Sequence, residues 1–322
     1  MYKVKVENLN QFEIALTSKN VSEIILARDS FSEKDLPKLV DKIKKSNKLS
    51  WILMERISRY EENMKPFDLR QSTDKIFEIK NLDGIIIQNL DSFAYMLRKI
   101  NKASNEKLKV ELNYTMNCYN IETKKLFENL YNEKRNNANE VPLLFTAPVE
   151  LNIYELKDVA YDTMILYSYI DTMVSANCLC KTTTSIGTKT THAAQNNSIK
   201  TKQMTNKNNT IVADKTASTI ICKNRFDFNR VQDFSSYIID RKGAKLHYKT
   251  YCKYCYNKIF NTEPLFLLDK VDEILRADIM RSNSLASFRI DFSFENEKEF
   301  ENILKGKCPD SFTRGHYKNS IK

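Results

Sequence analysis

The 322 residues are enough for one large domain or two medium ones. Apolar residues make up 42% and charged residues 29%, which supports a packed core and excludes global disorder. Fifty-one Lys plus Arg against 41 Asp plus Glu leave a net charge of +10, which suits a polyanion such as RNA and equally suits a plain lysine-rich surface.

The segment Met1–Glu7 alternates like a strand and carries no apolar signal core. No apolar run approaches membrane-spanning length, so a soluble cytoplasmic protein without membrane contact is expected. Short β-rich runs follow at Lys3–Glu7, Glu23–Ala27, Leu49–Glu55, Gly84–Asn89, Leu108–Tyr114, Pro142–Thr146, Thr163–Tyr169 and Ser287–Phe292. Helical patterns lie between them at Lys34–Lys45, Asp91–Ile100, Ile121–Tyr131 and Ile153–Val159. This alternation predicts an α/β fold with a parallel sheet and helices outside, and eight strands is the number that closes a barrel. An open doubly wound sheet stays possible on periodicity alone. Ser30 to Glu33 reads as a capping box before the Lys34 helix, and Asn120 as the cap of the Ile121 helix.

Residues 181–219 break the pattern. This Lys/Thr/Asn-rich stretch holds six lysines and one acidic residue and lacks apolar periodicity. It reads as a flexible basic insertion within a single domain spanning 1–322.

Seven cysteines occur, five of them between residues 178 and 255. An odd number outside a secreted context points to thiolate or metal chemistry, not a disulfide framework. Cys252-Lys253-Tyr254-Cys255 is a C-x-x-C pair, with Cys178, Cys180 and Cys222 upstream. Zinc and an iron–sulfur cluster each take four such ligands, and spacing does not choose between them. Cys118 and Cys308 stand apart and read as small core residues. Of the histidines, His192 falls in the insertion, His247 in an alternating strand-like segment, and His316 in the motif-like Thr313–Tyr317. No nucleophile elbow, zinc-protease, P-loop or dinucleotide signature is present.

Several segments together resemble the collagenase-like peptidase family U-thirty-two. In order they are Asp83–Leu90, Asn117–Asn120, Pro148–Asn152 with Glu155 and Leu156, Met173–Cys178 and Asp240–Gly243. Cys252–Asn257 with Asn261 and Pro264, then Arg289–Phe292 and Thr313–Tyr317, complete the set. The resemblance implies a TIM-like (β/α)8 barrel, complete or distorted, holding a 4Fe–4S cluster on Cys178, Cys222, Cys252 and Cys255, with Cys180 as the alternative to Cys222. It also implies iron–sulfur-dependent hydroxylation or related modification of tRNA or rRNA bases. A peptidase and a non-catalytic cluster-bearing partner of a companion subunit are the other readings. Two departures, Ser168 with Asp171 before Cys178 and Asn319-Ser320 after Tyr317, place substrate handling in question and admit an inactive paralogue.

Barrel chemistry gathers at the C-terminal ends of the strands. That rule groups Asn117, Asn120, Glu150 and Asn152 at one mouth, with Cys178 beside them. Arg241, Arg289 and Arg314 are candidate forks for a carboxylate or phosphate, and His316 is the candidate catalytic histidine. Each has a plain structural reading as well: helix caps for the asparagines, a lysine partner for Glu150, and an Asp240–Arg241 ion pair.

Overall fold

The computed structural model describes residues 1–57, 73–136, 140–176, 233–276 and 287–318. Thirteen strands fall in two sheets among them. Eight are parallel: β1 (Tyr2–Val6), β2 (Val21–Ala27), β3 (Leu49–Leu53), β4 (Gly84–Ile87), β5 (Lys109–Leu112), β6 (Leu143–Phe145), β7 (Thr163–Ser168) and β13 (Ser287–Asp291). They run in the order β7-β13-β1-β2-β3-β4-β5-β6, and the short β12 (Leu265–Phe266) pairs antiparallel with β7. The outer strand β6 returns to β7 at the bridge Thr146–Thr163, where the Ala147 N–H donates to the Thr163 carbonyl at 2.7 Å. The sheet is therefore curled into a partial barrel whose β6–β7 seam is a bridge and not a ladder. No helix among the described residues is long and apolar enough to cross a membrane.

All eight parallel strands fall within two residues of their expected positions. Each is buried on both faces, which is why the runs look continuously apolar. On β2, β3 and β4, Ile24, Ile52 and Ile85 join the large core under the helices. Their neighbours Ile25, Trp51, Leu53 and Ile86 form a separate cluster inside the curl. The four expected helices are present, together with Leu9–Thr17, Val271–Arg276 and Glu297–Leu304, which sequence reading omitted. Asparagine starts many of them. Asn8, Asn89, Asn120, Asn152 and Asn296 each accept a first-turn N–H, satisfying donors the helix itself leaves open. The Ser30–Glu33 box does not form: Ser30 ends a 3₁₀ turn, and the Leu36–Lys45 helix begins at Asp35 without a side-chain cap. Glu33 is drawn away by buried cations instead.

The inside of the curl is charged as well as apolar. The Lys3 ammonium lies 2.6 Å from Glu111 and 3.2 Å over the Trp51 ring. Thr146 donates to the same carboxylate at 2.6 Å. Arg289 grips Asp291 through two bonds of 2.6 and 2.8 Å and donates to Asn113 at 2.9 Å. Burial alone would raise the Glu111 pKa, but Lys3 and Arg289 outweigh it and hold the carboxyl below its usual range.

The second sheet is antiparallel, in the order β8-β11-β10-β9: β8 (Asp171–Ser175), β9 (Asp233–Ile239), β10 (Lys245–Tyr251) and β11 (Tyr256–Phe260). The insertion expected at 181–219 lies outside the described residues. Gly84 packs so closely against the Trp51 ring that a Cβ there would overlap it. Gly84→Ala is expected to cost about 1–3 kcal/mol by overpacking, read as a lower urea midpoint with unchanged slope. An unshifted midpoint would contradict the placement of the ring.

Candidate functional site

The small sheet lies over the C-terminal ends of β1, β2 and β3, and it is fixed there by buried ion pairs. Glu7, following β1, meets Lys5 and Lys249 at 2.6 Å each, with the Tyr251 hydroxyl at 3.3 Å. Asp29, following β2, accepts from the Tyr256 hydroxyl and lies 3.6 Å from Lys258. Glu33 is shared by Arg28 at 2.9 Å and Lys253 at 2.7 Å, and Arg28 also reaches Glu55 at 2.9 Å. Lys253, 1% exposed, donates further to the Arg28 and Phe31 carbonyls at 2.7 and 2.9 Å. Burial would push the Glu7 carboxyl up, yet Lys249 and Lys5 hold it well below the usual carboxylate range. Arg28 and Lys253 do the same for Glu33 against its burial.

Lys253 belongs to the C-x-x-C turn, so this lock also fixes the cysteine pair. Cys252 and Cys255 stand at the ends of the β10–β11 turn, closed by the Cys255 N–H on the Cys252 carbonyl at 3.3 Å. Cys255 is left-handed with φ 54°, and its side chain is partly exposed while Cys252 is buried. One four-residue turn thus presents two sulfurs, which fits half of a four-thiolate donor set. Cys178, Cys180 and Cys222 lie outside the described residues. Among the described residues no group of three or more His, Cys, Asp or Glu is placed to hold a metal ion. Cys118 is a core residue as expected; Cys308 is exposed, contrary to the core reading.

A second polar cluster gathers where β5, β6 and β7 end. The Tyr114 hydroxyl donates to Asp171, whose carboxylate also lies 3.5 Å from Arg56. Glu150 is half-buried, and its Oε2 has no hydrogen-bond partner. Burial raises the Glu150 pKa, the Asp171 charge adds to this, and His316 opposes it. Glu150 in turn raises the Tyr119 pKa, after burial of that hydroxyl. Glu150 thus lies within electrostatic range of His316 and Asp171, and Asp171 joins Tyr114 and Arg56, three residues that sequence reasoning did not select.

The remaining candidates are engaged elsewhere. Asn120 and Asn152 are helix caps, the latter in a full capping box with Glu155. Asn117 is exposed in a left-handed turn and accepts from the Tyr119 hydroxyl at 3.2 Å. Arg289 is buried in the Asp291 pair described above. Arg314 forks onto Asp269 and the Phe266 carbonyl. Arg241 sits exposed in the β9–β10 turn, where the Asp240 carboxylate accepts the Lys242 and Ala244 N–H groups at 2.8 Å each. The caps match the plain reading of Asn120 and Asn152, whereas Arg314 and Asp269 lie 45 residues apart and spacing along the chain carries no record of that pair.

No family model matches the chain, and no curated protein matches it. Among solved structures it is similar to the U32 peptidase Mk0906, at TM-score 0.38 and 13% identity over 53% of this chain and 72% of that one. It is also similar to an uncharacterized B. cereus protein, at TM-score 0.32 and 12% identity over 54% of this chain and 50% of that one. Both likenesses are distant and assign no activity.

The depressed carboxyls set a pH dependence. A carboxylate whose folded pKa lies below its unfolded value contributes stability above that unfolded value, and loses it as pH falls through the folded one. Stability should therefore fall below the ordinary glutamate pKa of 4.5, with Glu7 and Glu33 contributing. Glu7→Gln leaves two buried ammoniums short of a counter-charge, so it should cost about 3–5 kcal/mol at neutral pH and flatten the acid limb. Denaturant titrations at stepped pH would read both effects, and parallel curves for the two proteins would refute the role of Glu7.

Proposed function

We propose that this chain is a U-thirty-two-like (β/α) barrel protein that holds a 4Fe–4S cluster and acts on RNA bases, with hydroxylation as the reaction class the sequence resemblance implies. The observation that carries the RNA part is a strip of partly exposed rings and cations at the turn end of β9 and β10, on the sheet face whose inner residues Lys249 and Tyr251 meet Glu7. Tyr237 is 51% exposed with the Lys245 ammonium 5.2 Å from its ring centre, and it pairs across the strands with His247. His247 continues the strip onto Tyr169 and Phe294, with ring centres 5.6 and 5.1 Å away. Arg241 and Lys242 stand exposed in the turn at its end. Partly exposed rings interleaved with cations suit unstacked bases and their phosphates, and this surface draws on the excess positive charge.

In this reading Cys252 and Cys255 supply two cluster ligands, and Cys178 with Cys222 the others; the cluster, when bound, supplies electron transfer. Burial raises the Glu150 carboxyl above its usual pKa, which favours its protonated form more than that of an exposed glutamate and suits it to proton transfer. The curl of eight parallel strands with its Thr146–Thr163 bridge supports a closed barrel as the parent form.

Anaerobically purified protein should contain iron and sulfide, lost together in a Cys252→Ser/Cys255→Ser variant. Single-stranded RNA should bind in a salt-sensitive manner, weakened about tenfold by Tyr237→Ala, the size of one lost base stack. Protein without iron, and RNA binding indifferent to salt and to Tyr237, would sink the proposal; gelatin cleavage lost in Glu150→Gln would replace it with the peptidase reading.

A further inference from the structure

Beside the small sheet lies a groove of about 760 Å³, within the usual range for a small-molecule site. Its walls come from the loop after β1, the loop after β2, the Leu36–Lys45 helix and the two strands β9 and β10. It therefore opens at the same end of the parallel strands where barrel ligands bind. We propose that this groove binds a phosphorylated ribose-type ring, free or as a mononucleotide.

The first observation is an unsatisfied hydroxyl. Ser30 lines the groove, is only 6% exposed, and its Oγ has no hydrogen-bond partner. A buried hydroxyl left unpaired costs free energy that a ligand oxygen would recover. The second is an exposed apolar platform: Leu9 is 58% exposed at the start of its helix and faces the groove beside the nearly buried Phe31 and Leu39. A ring laid there would cover Leu9.

The charges are divided as such a ligand requires. Lys38 and Lys42 stand one turn apart on the Leu36–Lys45 helix and line the groove, so two ammoniums can meet one phosphate dianion. Lys42 is held by an exposed 3.1 Å pair with Glu13, both side chains more than half exposed, and by a 5.9 Å approach to the Phe12 ring, and the exposed pair costs little to release. At the N-terminus of this helix the Leu36 N–H is taken by the Ser32 carbonyl and Pro37 has none, so the two ammoniums carry the anion contact. Asp35, at that N-terminus, lines the groove too, and its carboxylate is placed to accept ring hydroxyls. Glu7 does not repel the phosphate, because Lys5 and Lys249 already neutralise it.

This site is separate from the RNA strip, which uses Tyr237 and Lys245, so the two ideas fail separately. Calorimetry with ribose 5-phosphate, uridine 5′-monophosphate and inorganic phosphate tests it on the intact protein. At least one of the two ring compounds should bind saturably, and more tightly than phosphate. Ser30→Ala should weaken that binding about tenfold without lowering the melting temperature, because it removes a hydroxyl with no partner in the fold. Lys38→Glu with Lys42→Glu should weaken it by at least as much, while Tyr237→Ala leaves it unchanged. Equal affinity for the two compounds would identify a sugar-phosphate site, and a clear preference for the nucleotide a base-reading one; both outcomes support the proposal. Absence of saturable binding at millimolar concentration, phosphate binding as tightly as the rings, or indifference to both sets of substitutions would overturn it.

Discussion

A carboxylate taken out of water costs several kcal/mol unless cations and hydrogen bonds accompany it. Glu7, Asp29 and Glu33 are in that position at the ends of β1 and β2, and each depends on a lysine of the small sheet: Lys249, Lys258 and Lys253. Separating the two sheets would strand three ammoniums and take Lys258 from Asp29, while Glu7 and Glu33 would keep only Lys5 and Arg28. The partial barrel and its covering sheet are therefore bound to one another by charge neutralisation as well as by apolar contact. The apolar share at this junction includes the tyrosine cluster of Tyr251, Tyr254 and Tyr256 and the rings of His247 and Phe260 against Phe294.

This arrangement decides where chemistry can occur. Over the ends of β1 and β2 the mouth is occupied by lysine and tyrosine side chains of the protein itself. The groove at Leu9 and Ser30 lies to one side, and the Glu150–His316–Asp171 cluster at the ends of β5 to β7 to the other. The C-x-x-C turn is carried on the same lock, since Lys253 between its cysteines is bonded to the Arg28 and Phe31 carbonyls. Whatever the two sulfurs hold is thereby coupled to the loop after β2.

The parallel strands were legible because burial on both faces leaves an uninterrupted apolar signature, as in Ile24-Ile25-Leu26 and Gly84–Ile87. Asn120 was legible as a cap because capping is local. The covering sheet was not, beyond the strand character of Lys245–Tyr248. Its alternation places lysines where a solvated face would stand, and their acidic partners lie more than two hundred residues away, as Lys249 and Glu7 do. The same distance effect misled the Ser30–Glu33 reading, since Glu33 is claimed by Lys253. Glu150 and His316 were found from strand ends and motif order, whereas Asp171 was noted only as a departure from the resembling family.

The most direct test of the account is hydrogen exchange, read by mass spectrometry, on the native protein and a Lys253→Met variant. If buried charge locks the small sheet to the barrel, amides of β10 and β11 should lose protection in the variant while those of β1 to β5 keep theirs. Unchanged protection across β10 and β11 would mean that the sheet is held by something other than these ion pairs, and would contradict the account.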